Sequence, residues 1–191
     1  MKDIEIEIQV QIEKSVPLLE FLEKEGTFQS EKQQIDEYFS PAHKDFLTAR
    51  PVNEWLRLRD AEGHCSINYK NWHRTPEGKS TYCDEYETKI ENLATVKKIL
   101  SALNMKSLVI VNKIRKTWTY KDYEIAVDKV KNLGDFVEIE YKGEATAENA
   151  EKITKEMIRF LKEVGCGKIE LNDKGYPYQL LFGKDANTKD Y

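Results

Sequence analysis

Several segments of the chain place ionisable side chains at every second position. Glu5 and Glu7 do so in EIEIQ, Arg57 and Arg59 in LRLR, Glu85 and Glu87 in DEYET, Lys113 and Arg115 in NKIRK, and Glu138 and Glu140 in FVEIEY. On an extended strand successive side chains point to opposite faces, so each pair shares one face. A solvated sheet face over an apolar core explains any one of these rows alone. Taken together they are segregated by sign, acidic on some strands and basic on others. A solvated face has no reason to do this, because cross-strand pairing needs only opposite neighbours. A site that holds divalent cations and phosphate oxygens together does have a reason. Carboxylates are hard-oxygen ligands for Mg²⁺ or Mn²⁺. Lysine and arginine match phosphate oxygens, arginine in bidentate fashion.

Strands must carry these rows. Ile4, Ile6, Ile8, Val10 and Ile12 alternate with polar residues over 3–13, which predicts a strand with one apolar face. Ser15 reads as the N-cap of a short helix with Pro17 in its first turn and Gly26 at its end. Further strands are expected at 28–39, 53–60, 64–72, 80–90, 107–119, 122–130 and 135–142, with a Gly63 turn between the third and fourth. Helical spacing appears at 92–104, with Asn92 as N-cap, and at 146–164, with Gly165 at the stop. A short strand, KIELN, and the segment GYPYQLLFG close the chain. The expected class is α+β: a closed antiparallel barrel of about eight strands with a few covering helices. Closure would turn the charged rows into one water-filled tunnel and the apolar faces outward beneath the helices. Such an interior is costly unless its charges are paired or ligated.

Composition narrows the function. The 191 residues suit a single domain over 1–191. The formal charge of -4 supplies no bulk basic field for a nucleic acid polymer. No apolar run reaches the roughly 18 residues of a membrane span, and MKDIEIEIQV lacks the apolar core of a signal peptide. Cys65, Cys83 and Cys166 are odd in number and not closely spaced, which suits a reduced cytoplasmic protein. No CxxC or HxxxH spacing points to zinc. His43, His64 and His73 fall in or beside loops, and Trp55, Trp72 and Trp118 read as wall or core residues. A homodimer is compatible with all of this.

The ordered blocks EIEIQ, Tyr38-Phe39, LRLR, Tyr69-Lys70, EYE at 85–87, KIRKTW at 113–118 and IAVDKVKNLGDFVEIEY at 125–141 resemble the CYTH, or triphosphate tunnel metalloenzyme, superfamily. The last block and YPYQLL look most like class IV adenylyl cyclases and their archaeal and bacterial relatives; thiamine and inorganic triphosphatases share the superfamily. The resemblance implies that Glu5, Glu7, Glu138 and Glu140 coordinate Mg²⁺ or Mn²⁺, with Asp128 and Glu87 as nearby acids and Glu85 and Gln9 in support. It implies that Arg57, Arg59, Lys70, Lys113 and Arg115 grip a triphosphate, and that Glu5, Glu7 and Lys113 take part in catalysis. The implied substrates are ATP, tripolyphosphate or thiamine triphosphate. Cyclisation of ATP to cyclic AMP and pyrophosphate is the leading activity, hydrolysis the alternative. Gln9 stands where the family's ExExK signature has lysine, and Cys83 stands two residues before Glu85, where many relatives carry arginine. These two departures leave open a nucleotide or polyphosphate binder without turnover.

Overall fold

A computed structural model describes residues 6–74, 80–144, 146 and 148–183. Strand β1 (Ile6–Ile12) is followed by helix α1 (Val16–Glu25), strand β2 (Thr27–Pro41) and a single 3-10 turn (Phe46–Thr48). Strands β3 (Glu54–Ala61), β4 (His64–Arg74) and β5 (Ser80–Ile90) lead to helix α2 (Leu93–Ala102). Strands β6 (Met105–Tyr120), β7 (Tyr123–Val130) and β8 (Gly134–Tyr141), helix α3 (Ala150–Val164), strand β9 (Ile169–Leu171) and helix α4 (Tyr176–Phe182) complete the described chain. The α+β class and every strand expected before residue 142 are present. Helix α3 starts at Ala150 rather than 146, and YPYQLLF, unassigned from its pattern, is a helix.

The strands form one antiparallel sheet in the order β5-β4-β3-β2-β6-β7-β8-β1-β9. This differs from the expected closed barrel in one respect. The sheet has nine strands, the eight expected before residue 142 and the short KIELN strand that joins them, and among the described residues no ladder joins its end strands β5 and β9, so hydrogen bonding does not close it. Alternation assigns faces to a strand but is silent on which edges meet. The short strand expected in KIELN is β9, only three residues long, and it pairs with Val10–Ile12 of β1.

The described chain divides into two compact units, one within 6–32 and 113–175 and the other within 33–112 and 176–183; β2 and β6 contribute to both. In the first unit β8 lies between β7 and β1, with Ile8 opposite Ile139 and Val127 opposite Val137. The apolar side chains of these strands, including Val10, Ile125, Val137 and Ile139, are buried against Leu18 and Leu22 of α1 and Ile153, Met157 and Leu161 of α3. Each such side chain removed from water contributes about 1.5–3 kcal/mol. In the second unit, Leu58 and Phe39 pack beneath Leu100 of α2, with Leu56, Ile67, Leu93 and Val96 around them. Helices α1 and α3 in the first unit and α2 in the second therefore cover the apolar face of the strands.

Local signals set the joints. Glu62 and Gly63 both have positive φ (56° and 86°) between β3 and β4, the two-residue turn whose twist suits a hairpin. Asn92 accepts from the Thr95 amide at 2.9 Å and caps α2. Ser15 occupies the N-cap position of α1 but makes no capping bond; its hydroxyl instead donates to the Asp135 carboxylate. Gly26 ends α1 where an added Cβ would stand 2.8 Å from the Leu22 carbonyl oxygen.

Leu161 is fully buried at the centre of the first unit's core. Leu161→Ala is expected to lower unfolding free energy by about 2–5 kcal/mol, read as a lower midpoint in urea denaturation.

Candidate functional site

The charged rows fall on the strand faces turned away from the helices, and each unit holds its own cluster. In the first unit Arg115 is opposite Asp128 across β6 and β7, and Gln9 is opposite Glu138 across β1 and β8. Arg115 donates from Nε to Asp128 Oδ1 and from one terminal nitrogen to Oδ2, both at 2.7 Å. The same guanidinium reaches both oxygens of Glu138 at 3.0 Å. Lys113 donates to Asp128 Oδ2 at 2.7 Å, and Gln9 donates to Glu138 Oε2 at 2.9 Å. Asp128 and Lys113 are 0% and 3% exposed, so these ions persist only because they are paired and hydrogen-bonded.

The electrostatics follow from that pairing. Burial opposes the charged form of Asp128, but its bonds to Arg115 and Lys113 outweigh burial and hold the carboxyl well below the usual carboxylate range. Burial likewise opposes ionisation of Glu138, and Arg115 overcomes it, so this carboxyl is lowered too. Burial, followed by the neighbouring Arg115 charge, pulls the Lys113 amine down to about 8.

Glu7 is opposite Glu140 in β8, and Glu140 is opposite Glu124 in β7. Three carboxylates thus occupy one level across three adjacent strands. Like charges set directly opposite are destabilising unless a cation intervenes, and Lys142, 2.6 Å from Glu140, is one such cation. This hard-oxygen donor set suits Mg²⁺ or Mn²⁺ in kind. Among the described residues no three His, Cys, Asp or Glu side chains converge closely enough to hold an ion as they stand. Glu5 lies outside the described residues. Glu124 was missed from sequence because its row, YEIAVD, carries a single glutamate followed by alanine on the same face.

In the second unit Asp36, 2% exposed, receives a bidentate bond from Arg59: Nε to Oδ1 at 2.7 Å and a terminal nitrogen to Oδ2 at 2.6 Å. Lys70 pairs with Glu85 at 2.9 Å, and Asn68 donates to Glu85 at 2.8 Å. Ser66 donates to Glu87 at 2.7 Å. Arg57 differs from these cations. Its terminal nitrogens are 3.9 Å from Asp36 and 3.8 Å from Glu87, beyond hydrogen-bond reach. Its Nε is buried without a partner. A buried guanidinium donor left unmet is a place for an acceptor to bind. Beside it Tyr38, to which the Arg57 side chain hydrogen-bonds, is buried, and burial reinforced by Asp36 pushes its phenol up to about 12, so it stays neutral. Cys83 is opposite Trp72 on β4; burial raises its thiol, which therefore supplies neither a cation nor a ready thiolate.

Of the five cations expected to grip phosphate, Arg59, Lys70, Lys113 and Arg115 are each held by a carboxylate of their own unit. Asp36, which holds Arg59, was missed because the run IDEYF shows no alternating charge, and its role depends on register opposite Arg59.

The CYTH domain family profile matches residues 1–176. The chain belongs to the CYTH domain family. A CYTH relative in Methanocaldococcus jannaschii, provisionally named an adenylate cyclase, is 33% identical over 174 residues, which is 91% of this chain and 96% of that protein. The CYTH chain shares its fold with the PH1819 protein of Pyrococcus horikoshii, at TM-score 0.69 and 22% identity over 95% of this chain and 100% of that one. It also shares it with HpAC1 of Hippeastrum, at TM-score 0.68 and 19% identity over 98% of this chain and 100% of that one. HpAC1 is provisionally named an adenylyl cyclase, and its structure is described as revealing a dominant triphosphatase activity.

The lowered Asp128 and Glu138 carboxyls set an acid limit. Their folded pKa values lie below those of the unfolded chain. The stability they contribute is present above the ordinary carboxylate range and is lost as pH falls through the folded values. Urea denaturation between pH 7 and pH 3 is expected to show that loss. Asp128→Asn, which leaves buried cations short of a counter-charge, is expected to cost about 3 kcal/mol or more at pH 7 and to flatten the acid slope.

Proposed function

We propose that this CYTH protein is a metal-dependent enzyme acting on a triphosphate, cyclising ATP to cyclic AMP and pyrophosphate. The observation that carries the reading is Arg57, whose Nε is buried without a hydrogen-bond partner and whose terminal nitrogens stand 3.8–3.9 Å from carboxylates, while the neighbouring Arg59 and Lys70 are closely paired. Family membership and the 33% identical relative support the same substrate class.

Glu7, Glu138 and Glu140, with Glu5 and Asp128 as the family pattern suggests, would hold Mg²⁺ or Mn²⁺. Bound there, the ion would acidify the attacking hydroxyl and neutralise charge on phosphate oxygens. Arg57 would bind a phosphate oxygen directly. Asp36 holds Arg59 in a fixed orientation, and Glu85 does the same for Lys70. Lys113 and Arg115 set the positive field beside Asp128 and Glu138. In cyclisation the ribose 3′-oxygen would attack the α-phosphorus, its proton would pass to water, and the bond from the α-phosphorus to the departing pyrophosphate would break. In hydrolysis the attacking oxygen belongs to water and the target is the terminal phosphorus. Both reactions need positioning and charge neutralisation rather than a covalent nucleophile.

Gln9 and Cys83 favour a second reading, a triphosphate binder without turnover, because two positions that carry cations in relatives are neutral here. Incubation with ATP, thiamine triphosphate and tripolyphosphate, each with Mg²⁺ and with Mn²⁺, separates the outcomes. Cyclic AMP with pyrophosphate establishes the cyclase, and orthophosphate release a triphosphatase. Binding without products establishes the second reading, and neither binding nor products sinks both.

Arg57→Ala is expected to weaken tripolyphosphate binding by roughly tenfold or more, as for loss of a charge-assisted contact. Lys155→Ala, on the exposed side of α3 beside Glu151, should leave binding unchanged. Calorimetry at physiological salt reads both, and equal losses would argue against a specific grip.

A further inference from the structure

Gln9 stands at the position of the signature lysine, and the structure shows what holds it. Asn172 follows β9 and is 6% exposed. The Gly175 amide donates to Asn172 Oδ1 at 3.1 Å. Asn172 Nδ2 donates to Gln9 Oε1 at 2.6 Å, and Gln9 Nε2 donates to Glu138 Oε2 at 2.9 Å. A backbone N–H can only donate, so Asn172 must present its oxygen to Gly175 and its nitrogen to Gln9. Gln9 must then present its own nitrogen to Glu138. The Gly175 amide, which only donates, at one end and the ionised Glu138 carboxylate, which only accepts, at the other thereby agree on one orientation for both side-chain amides. A second contact, from the Asn172 amide to the Gln9 carbonyl oxygen at 2.8 Å, keeps the two backbones in register.

The relay ends on a carboxylate with about four acceptor positions. Arg115 takes one on each oxygen of Glu138, and Gln9 takes the second on Oε2. Among the described residues, the remaining position is on Oε1. We infer that Asn172 is a positioning residue: by orienting Gln9 it occupies Glu138 Oε2 and leaves Oε1 as the oxygen that Glu138 offers to a divalent cation. This rests on the metal reading of the preceding subsection. It also explains how a neutral residue serves where relatives carry lysine. An ammonium at position 9 has no acceptor atom for Asn172 Nδ2, so the glutamine and the asparagine form a matched pair.

Mn²⁺ alone is the probe, with binding followed by the electron paramagnetic resonance signal of the free ion in wild type, N172A, Q9A and the double variant. Thermal unfolding of each verifies that it is folded. Asn172→Ala and Gln9→Ala are each expected to weaken Mn²⁺ binding by about 10- to 100-fold, as for loss of an outer partner of a metal ligand. The double variant should bind no more weakly than Q9A, because Asn172 acts only through Gln9. Should N172A fail to fold, Q9N, one methylene shorter and unable to span Asn172 and Glu138, should show the same loss. Unchanged Mn²⁺ binding in folded N172A or Q9N overturns the inference alone. An N172A effect of equal size with and without Gln9 also overturns it. Wild-type protein that binds no Mn²⁺ overturns the metal reading itself, and the inference falls with it.

Discussion

The first unit's polar face depends on the fork of Arg115, whose guanidinium bonds to both oxygens of Asp128 and both oxygens of Glu138. Two carboxylates on adjacent strands would repel one another in a poorly hydrated setting. One planar cation with five donors satisfies both at once and fixes their planes. Lysine, with a compact ammonium, could not span the same acceptors. The pairing explains why Asp128 stays ionised at 0% exposure and why β6, β7 and β8 can place charge side by side. The same logic recurs in the second unit, where Asp36 holds Arg59 by a bidentate bond.

Much of this was legible in the sequence because a strand has a period of two. Alternation identified which face of β1, β3, β6 and β8 carries charge. The family blocks foresaw the adjacency of β1 and β8, which the register Gln9 opposite Glu138 bears out. What alternation cannot supply is the partner. Asp36 has no charged neighbour two residues away and became visible only once β2 was set opposite β3. Asn172 is 163 residues from Gln9 along the chain, so no local pattern could have joined them. That no ladder closes the sheet among the described residues escaped for the same reason, since edge pairing is a property of two distant segments.

The contrast between Arg57 and its neighbours shows how a charged face can be both stable and receptive. Paired ions stiffen the face but lose capacity for an incoming anion, because an intramolecular carboxylate competes for the same donors. A cation with one donor unmet keeps part of that capacity at the cost of a buried group without a partner. The second unit combines both states within one strand: Asp36 holds Arg59 bidentately, and Nε of Arg57 has no partner.

The amide relay from Gly175 through Asn172 to Gln9 carries a consequence for how this lineage diverged. Glutamine at position 9 and asparagine at position 172 are matched, since the first accepts what the second donates. A lineage moving between lysine and glutamine at position 9 by one substitution at a time would pass through an intermediate with a mismatched buried pair. Such steps are rarely tolerated singly, so the two positions should have been inherited as a block, and descendants should differ at both or at neither.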